Sequence, residues 1–405
     1  MQKLPQKNES ALELAESFSK DTIEWRRHLH SIPEIAFKEE KTADYVAEIL
    51  QQFGYQIKRG LAVTGVVADL GSIGPTIALR AELDGIAIAE TTQAPYCSRE
   101  GGLSHACGHD VNMACVLTAA RILAELKPAC KIRIIMQPAS EIASDESMKS
   151  GAEKMIEEGV LEGVGAILGI HVDSTLRSGT LGIIKEPLQT RSENFRITLE
   201  PSKKAPDTRC IVIGAAIIGS IDEALSKSGL DTSCISITSL VTDETEKSKA
   251  TLAGSLDYKS RDMFSIIREV IKSACDSVCG SAHHGCCHFD IEFERGGSTS
   301  LDSRMVEKLY EAGLKVLGGE RVEPLKRKTW SEDFSVYSGR LPAAMALLGA
   351  QLPGPPRVHH TGGFDIDDSQ IHLGAAVLAE TVLSLLDDCA ILDGTHQSVI
   401  DDKEK

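Results

Sequence analysis

The chain has 405 residues, 42% of them hydrophobic and 25% charged, and a formal net charge of −16 at pH 7. A length beyond the ~250–300 residues at which one core stops growing points to two domains, and the acidic balance argues against nucleic acid or anionic membrane as partner, since both would repel it. The first twenty residues lack the apolar stretch of a secretory signal, no uncharged apolar run reaches the ~18 residues of a membrane span, and eleven cysteines without framework spacing read as reduced thiols of a cytoplasmic protein.

Residues 1–20 are polar and weakly patterned, a lead-in or a first helical turn. A helical period runs from Trp25 to about Gln52, broken at Pro33. Glycine-bounded apolar runs at Gly65–Leu70 and Thr76–Arg80 read as buried strands. A helix over about Asn112–Leu126, a strand at Lys131–Met136, a helix at Lys149–Gly159 and a strand at Ala166–Ile170 continue the alternation. It predicts an α/β layer with a mostly parallel sheet. From about residue 190 the order becomes strand Phe195–Leu199, helix Cys210–Lys227, strands Cys234–Val241 and Ala250–Asp257, helix Arg261–Val278 and strand Phe289–Glu294. That is the split βαβ order of a ferredoxin-like domain. The expected organisation is one domain from residues 1–189 and 299–390, closed by helix Ile371–Leu386, with an inserted domain at 190–298 and a disordered tail at 391–405.

The chemistry-bearing residues cluster around His105-Ala106-Cys107-Gly108-His109-Asp110, where a strand-loop segment opens into a helix. A thiolate and an imidazole one glycine apart can both reach a single metal centre, and Asp110 can orient an imidazole. The plainer reading is a small buried cysteine beside a capping aspartate. Glu141, after Gln137-Pro138-Ala139-Ser140, and His171 both fall where a strand ends, the usual place for sites in α/β proteins. His359-His360 precede a glycine pair. Together they form a mixed N/O/S set that suits zinc, manganese or cobalt. A second group, Cys275 and Cys279 followed by His283-His284-Gly285-Cys286-Cys287-His288, matches no standard finger spacing. It reads as a thiol-rich helix end and turn, with a second zinc site as the alternative.

With these residues in view, the sequence resembles the aminoacylase and carboxypeptidase metallohydrolases, in the amidohydrolase branch with hippurate hydrolase, auxin-conjugate hydrolases and N-acetyl-diaminopimelate deacetylase. The likeness runs from about Trp25 to Leu386. It is carried by Arg26-Arg27-His28-Leu29-His30-Ser31-Ile32-Pro33-Glu34, Leu79-Arg80-Ala81-Glu82-Leu83-Asp84, the intact HACGHD, Met155–Gly163 and Ser331-Glu332-Asp333-Phe334. The resemblance implies a zinc-peptidase-like catalytic domain with an inserted ferredoxin-like lid, through which the protein would form a homodimer. It implies two divalent metal ions held by Cys107, His109, Glu141, His171 and His360, with Cys107 bridging and Asp84 and Asp110 supporting. His360 is preferred to His359 because it lies four residues before Phe364. The implied substrate is a small N-acyl amino acid or similar conjugate.

Departures from the family pattern fall on its catalytic auxiliaries. The family's QPAEE, whose first Glu is the general base, is QPASE here, with Ser140 at the base position; losing a positioned base costs ~10²–10⁴-fold in rate. The lid's GxGGHAA is replaced by Glu200-Pro201-Ser202-Lys203-Lys204-Ala205-Pro206, and its NVIPD by Glu244–Lys249. Asn112 stands where a histidine is common. The sequence therefore supports an amidohydrolase with an altered site whose general base is unassigned; if the native protein hydrolyses amides, Asp145 and Glu146 are the first candidates. The rival is a metal-binding homologue without catalysis. A cysteine hydrolase built on Cys107 and His109 is the third reading.

Overall fold

The computed structural model describes residues 9–141, 149–184, 190–203, 206, 209–228, 230, 234–242, 248–258, 261–281, 287–299, 301–325 and 333–386. Asp145, Glu146, Lys204, Ala205, the segments at 244–247, 283–286 and 331–332, and the tail at 391–405 lie outside these residues. In chain order the elements are α1 (Ala11–His30), α2 (Glu40–Gln52), β1 (Gln56–Leu61), β2 (Gly65–Leu70), β3 (Thr76–Glu82), α3 (His109–Leu126), β4 (Lys131–Gln137), α4 (Gly151–Glu157), β5 (Val164–Arg177) and β6 (Leu181–Ile184). They continue with β7 (Thr190–Pro201), α5 (Cys210–Ser228), β8 (Ile235–Thr242), β9 (Ala250–Tyr258), α6 (Arg261–Ser281), β10 (Cys287–Thr299), α7 (Ser303–Leu317), β11 (Val322–Leu325), α8 (Phe334–Ser338), β12 (Ala343–Gln351) and α9 (Ile371–Leu385).

The chain forms two compact units: Met1–Pro187 with Ser300–Lys328 and Val336–Lys405, and Leu188–Thr299 with Thr329–Ser335. The first is built on a sheet of order β1-β2-β4-β3-β5-β12-β6-β11. Its centre is parallel: β3 pairs in parallel with β4 and β5, and β5 with β12. Residues of β3 and β12 are buried almost throughout, as expected of strands covered on both faces. Helices α1, α3 and α9 pack on one another, and α7 packs on α9.

Within the stretch expected as a lead-in or a first helical turn, residues 11–20 form the first half of α1, which runs on to His30. Ser10 Oγ accepts the Glu13 amide at 3.2 Å, and Glu13 Oε2 accepts the Ser10 amide at 2.9 Å. This reciprocal cap satisfies donors that a helix start otherwise leaves orphaned. Strand β5 also runs longer than its apolar core suggests, so His171 lies inside it rather than after it. Its pairing with β3 ends at Gly169, and His171 is just beyond the end of that neighbour.

The second unit is an antiparallel sheet of order β10-β7-β9-β8 with α5 and α6, the ferredoxin-like arrangement. Helix α5 buries Cys210, Gly214, Ile217, Ile221 and Leu225, a stripe at helical spacing. It faces Phe195, Ile197 and Leu199 of β7 and Leu252 and Leu256 of β9 in one core.

Candidate metal centre

Five segments of the first unit converge: the chain after β3, the start of α3, the turn after β4, strand β5 at His171, and the loop between β12 and α9. Gly108 makes the convergence possible. Its φ of +88° is open to glycine, and a Cβ there would fall 2.2 Å from Val172 Cγ1 and 3.3 Å from Phe364 Cζ. The backbone can therefore turn tightly between Cys107 and His109.

Ligating atoms of Cys107, His109 and His171 lie within 4.8 Å of one another, and so do those of Cys107, Glu141 and His360. Cys107 belongs to both groups. The imidazoles are aimed by their other nitrogen. His109 Nδ1 donates to the Asp84 carbonyl at 2.7 Å, and His171 Nδ1 donates to the Val172 carbonyl at 2.9 Å. A carbonyl can only accept, so Nδ1 carries a proton in both rings, and in the neutral imidazole Nε2 is then the lone-pair nitrogen that can ligate a metal. His109 Nε2 then sits 3.4 Å from Glu141 Oε1, and His171 Nε2 sits 3.6 Å from Cys107 Sγ. His360 Nε2 is also 3.4 Å from Glu141 Oε1. The neighbouring His359 is engaged differently: its Nε2 accepts the Ser174 amide at 3.3 Å, and its ring packs on Phe364 and lies 5.8 Å from that of His171. Burial, and then His171, lower its pKa to about 3.

Glu141 is the negative charge of the cluster. Burial pushes the Glu141 carboxyl up, but His360 and His109 outweigh it and hold the group at about 2. Burial, reinforced by Glu141, pushes the Cys107 thiol well above its usual range. The donor set of one thiol, one carboxylate and three imidazoles, sharing the thiol, fits two divalent transition-metal ions.

Asp84 organises the turn after β4. Its Oδ2 accepts the amides of Ser140 at 2.8 Å and Glu141 at 2.9 Å, and its Oδ1 accepts the Ser140 hydroxyl at 2.7 Å. Asp110 works one layer further back. Arg26 Nε donates to its Oδ2 at 2.8 Å and His30 Nδ1 at 2.9 Å, so the imidazole it orients is that of His30. The other His30 nitrogen faces Glu90 at 3.3 Å. Asn112 ties β3 to β5, donating to Glu82 at 3.0 Å and accepting the Val172 amide at 3.0 Å.

Cys275, Cys279 and Cys287 are buried in the second unit with Cys210, whose Sγ lies 3.5 Å from that of Cys287. Among the described residues, groups of three close ligating atoms occur at Cys107 and not at this cluster. Residues that sequence reasoning missed are Glu39 and Thr64, which meet behind the turn after β4. Their signal was weak: Glu39 is one of two glutamates before a helix.

A profile described as Peptidase family M20/M25/M40 matches residues 78–384. An N-acetylcysteine deacetylase of Bacillus subtilis is 27% identical over 391 residues, 92% of this chain and 98% of that protein. A Bacillus subtilis structure described as a dinuclear metal binding peptidase from the M20 family shares the fold at TM-score 0.71 and 25% identity, covering 92% of this chain and 99% of the other. A Rhodococcus jostii protein named as a glutamate–cysteine ligase is 28% identical over 381 residues, 90% of this chain but 47% of that protein, so the chain spans about half of its length. Among the described residues no helix is long and apolar enough to cross a membrane.

Proposed function

The chain belongs to peptidase family M20/M25/M40, and from that footing we propose that it is a metal-dependent amidohydrolase cleaving the amide of N-acylated amino acids. The observation that carries the reading is the shared thiol, with Cys107 common to two groups of metal-ligating atoms. One ion would take Cys107, His109 and His171, and the other Cys107, Glu141 and His360. Bound there, two such ions supply Lewis-acid polarisation of the scissile carbonyl and an acidified water. The chain's own residues prepare that chemistry: Asp84 and Val172 fix the tautomers of His109 and His171, and the network behind them holds the rings in place. A relative named for deacetylating N-acetylcysteine supports the substrate class.

A cysteine-hydrolase reading fits poorly. It leaves no role for Glu141 and His360, whose ligating atoms lie within 4.8 Å of that of Cys107.

Ser140 is the point of tension. Its hydroxyl is committed as a donor to Asp84, and a neutral hydroxyl takes no proton near pH 7. That geometry favours a second reading, a metal-binding homologue without turnover. The two are separated by assaying the native protein and Ser140→Glu on a panel of N-acyl amino acids with zinc, manganese or cobalt. If only the base is missing, Ser140→Glu gains about one to four decades in rate, the inverse of losing a base. Ser140→Ala then changes little. If the native protein is already competent and Ser140→Glu weakens it, another group takes the proton, Asp145 and Glu146 first. No hydrolysis by either form on a broad panel rejects the amidohydrolase reading.

A further inference from the structure

The turn carrying Ser140 and Glu141 is gripped by two carboxyl groups, and only one of them belongs to the centre described above. Asp84 takes the amides of Ser140 and Glu141. The amide before them, that of Ala139, goes instead to Glu39 Oε1 at 2.8 Å. Glu39 is wholly buried at the start of α2. Its other oxygen accepts the hydroxyl of Thr64, from the turn between β1 and β2. Ala139 has φ of +47°, a left-handed conformation that a residue with a Cβ keeps only when its surroundings hold it. On its far side the Ala139 carbonyl accepts the Gly151 amide at 3.0 Å. Three consecutive amides thus end on two buried carboxyl groups, and the first is fixed from a different part of the fold.

We propose that Glu39 is a positioning residue of the metal centre: by gripping the Ala139 amide it holds the left-handed turn that aims Glu141 at Cys107 and His360. The inference rests on the metal-centre reading, and it concerns assembly of the centre rather than the reaction. Glu39 acts through Ala139, since its side-chain hydrogen bonds go to Ala139 and Thr64. Burial raises its carboxyl to about 7, and both protonation states can do the work. The carboxylate accepts from both partners, while the neutral acid accepts from Ala139 and donates its proton to Thr64. A glutamine can make the same pair of bonds, its oxygen accepting from Ala139 and its amide donating to Thr64. An alanine can make neither. An aspartate keeps the charge but is one methylene too short.

The test is cobalt(II) titration of metal-stripped protein, following affinity and the visible and thiolate charge-transfer absorption, with circular dichroism to confirm folding. Glu39→Gln should bind cobalt as the native protein does, with the same spectrum. Glu39→Ala and Glu39→Asp should bind about 10- to 100-fold more weakly, the usual effect of removing a group that orients a ligand, with an altered spectrum. Should Glu39→Ala fail to fold, Glu39→Asp carries the comparison. Native binding and spectrum in Glu39→Asp would overturn the proposal, as would a Glu39→Gln protein as weak as Glu39→Asp. A native protein that takes up no cobalt removes the metal-centre reading itself, and this inference with it.

Discussion

Gly108 shows how much of the centre hangs on one missing side chain. With φ at +88° and Val172 Cγ1 2.2 Å from any added Cβ, Gly108→Ala must shift the start of α3 or β5. We expect a loss of about 1–3 kcal/mol from overpacking and a larger fall in cobalt affinity, read by thermal unfolding and metal titration. An unchanged Tm would show that the turn can relax. His30 offers a pH test. Burial lowers its pKa, but Asp110 and Glu90 outweigh burial and raise it. Its contribution to stability is therefore full below its unfolded pKa and is lost as pH rises through the folded value. Burial pushes Glu90 up, yet His30 and the Ser98 amide hold it at about 2. Its contribution is present above its unfolded pKa and is lost as pH falls towards 2. The Tm gap between native protein and His30→Gln should be widest between the two unfolded values, about pH 4.5 to 6.5, and narrow at alkaline pH. A gap constant from pH 5 to 9 would refute the charged pairing. At this scale the sequence was informative where chemistry sits in a short motif, as with Cys107 and His109. It marked Asn112 as a departure but gave neither Asn112 nor Glu39 its partner, since Val172 and Ala139 are far away in the chain and are met only in the fold.

Elements were legible in proportion to their periodicity. Helix α5 shows its buried stripe in the sequence, and β7 its alternation of Phe195, Ile197 and Leu199. Strand β12 shows no alternation, although Pro342 precedes it and Pro353-Gly354-Pro355-Pro356 follow: Ala343–Gln351 is buried along almost its whole length, so both faces are apolar and small residues dominate. The short β6 and β11, of four residues each, are too brief to show a period. The start of α1 is different, because its signal is present as Ser10-Ala11-Leu12-Glu13 and is masked only by polar surroundings. Ser10→Ala should cost about 1 kcal/mol, the usual price of a lost N-cap, and lower Tm slightly without touching metal affinity. A fall in metal affinity would mean that α1 frays far enough to release Arg26 and His30 from Asp110.

Among the described residues, the end strand β8 bears on assembly. In the second unit β8 pairs with β9 and stands at the end of the sheet, with Val241 53% and Ile237 37% exposed. Apolar side chains on an unpaired edge invite a second copy, and we expect a homodimer through β8. Light scattering at tens of micromolar should give twice the chain mass, and Val241→Lys should shift it towards the monomer. A native monomer under those conditions counts against this edge as an interface. The division of the first unit into separate stretches of chain has a further consequence, one of timing. Strand β12 must pair with both β5 and β6, yet the whole run from β7 to β10 is synthesised in between. At 5–20 residues per second that interval is roughly 10–30 s. By its end, residues 188–299 are complete, while the nascent chain on the ribosome still carries β5 without its β12 partner and lacks His360. The protein's most exposed moment for misassembly therefore comes during its own translation, before any metal ion can find the full set of donors.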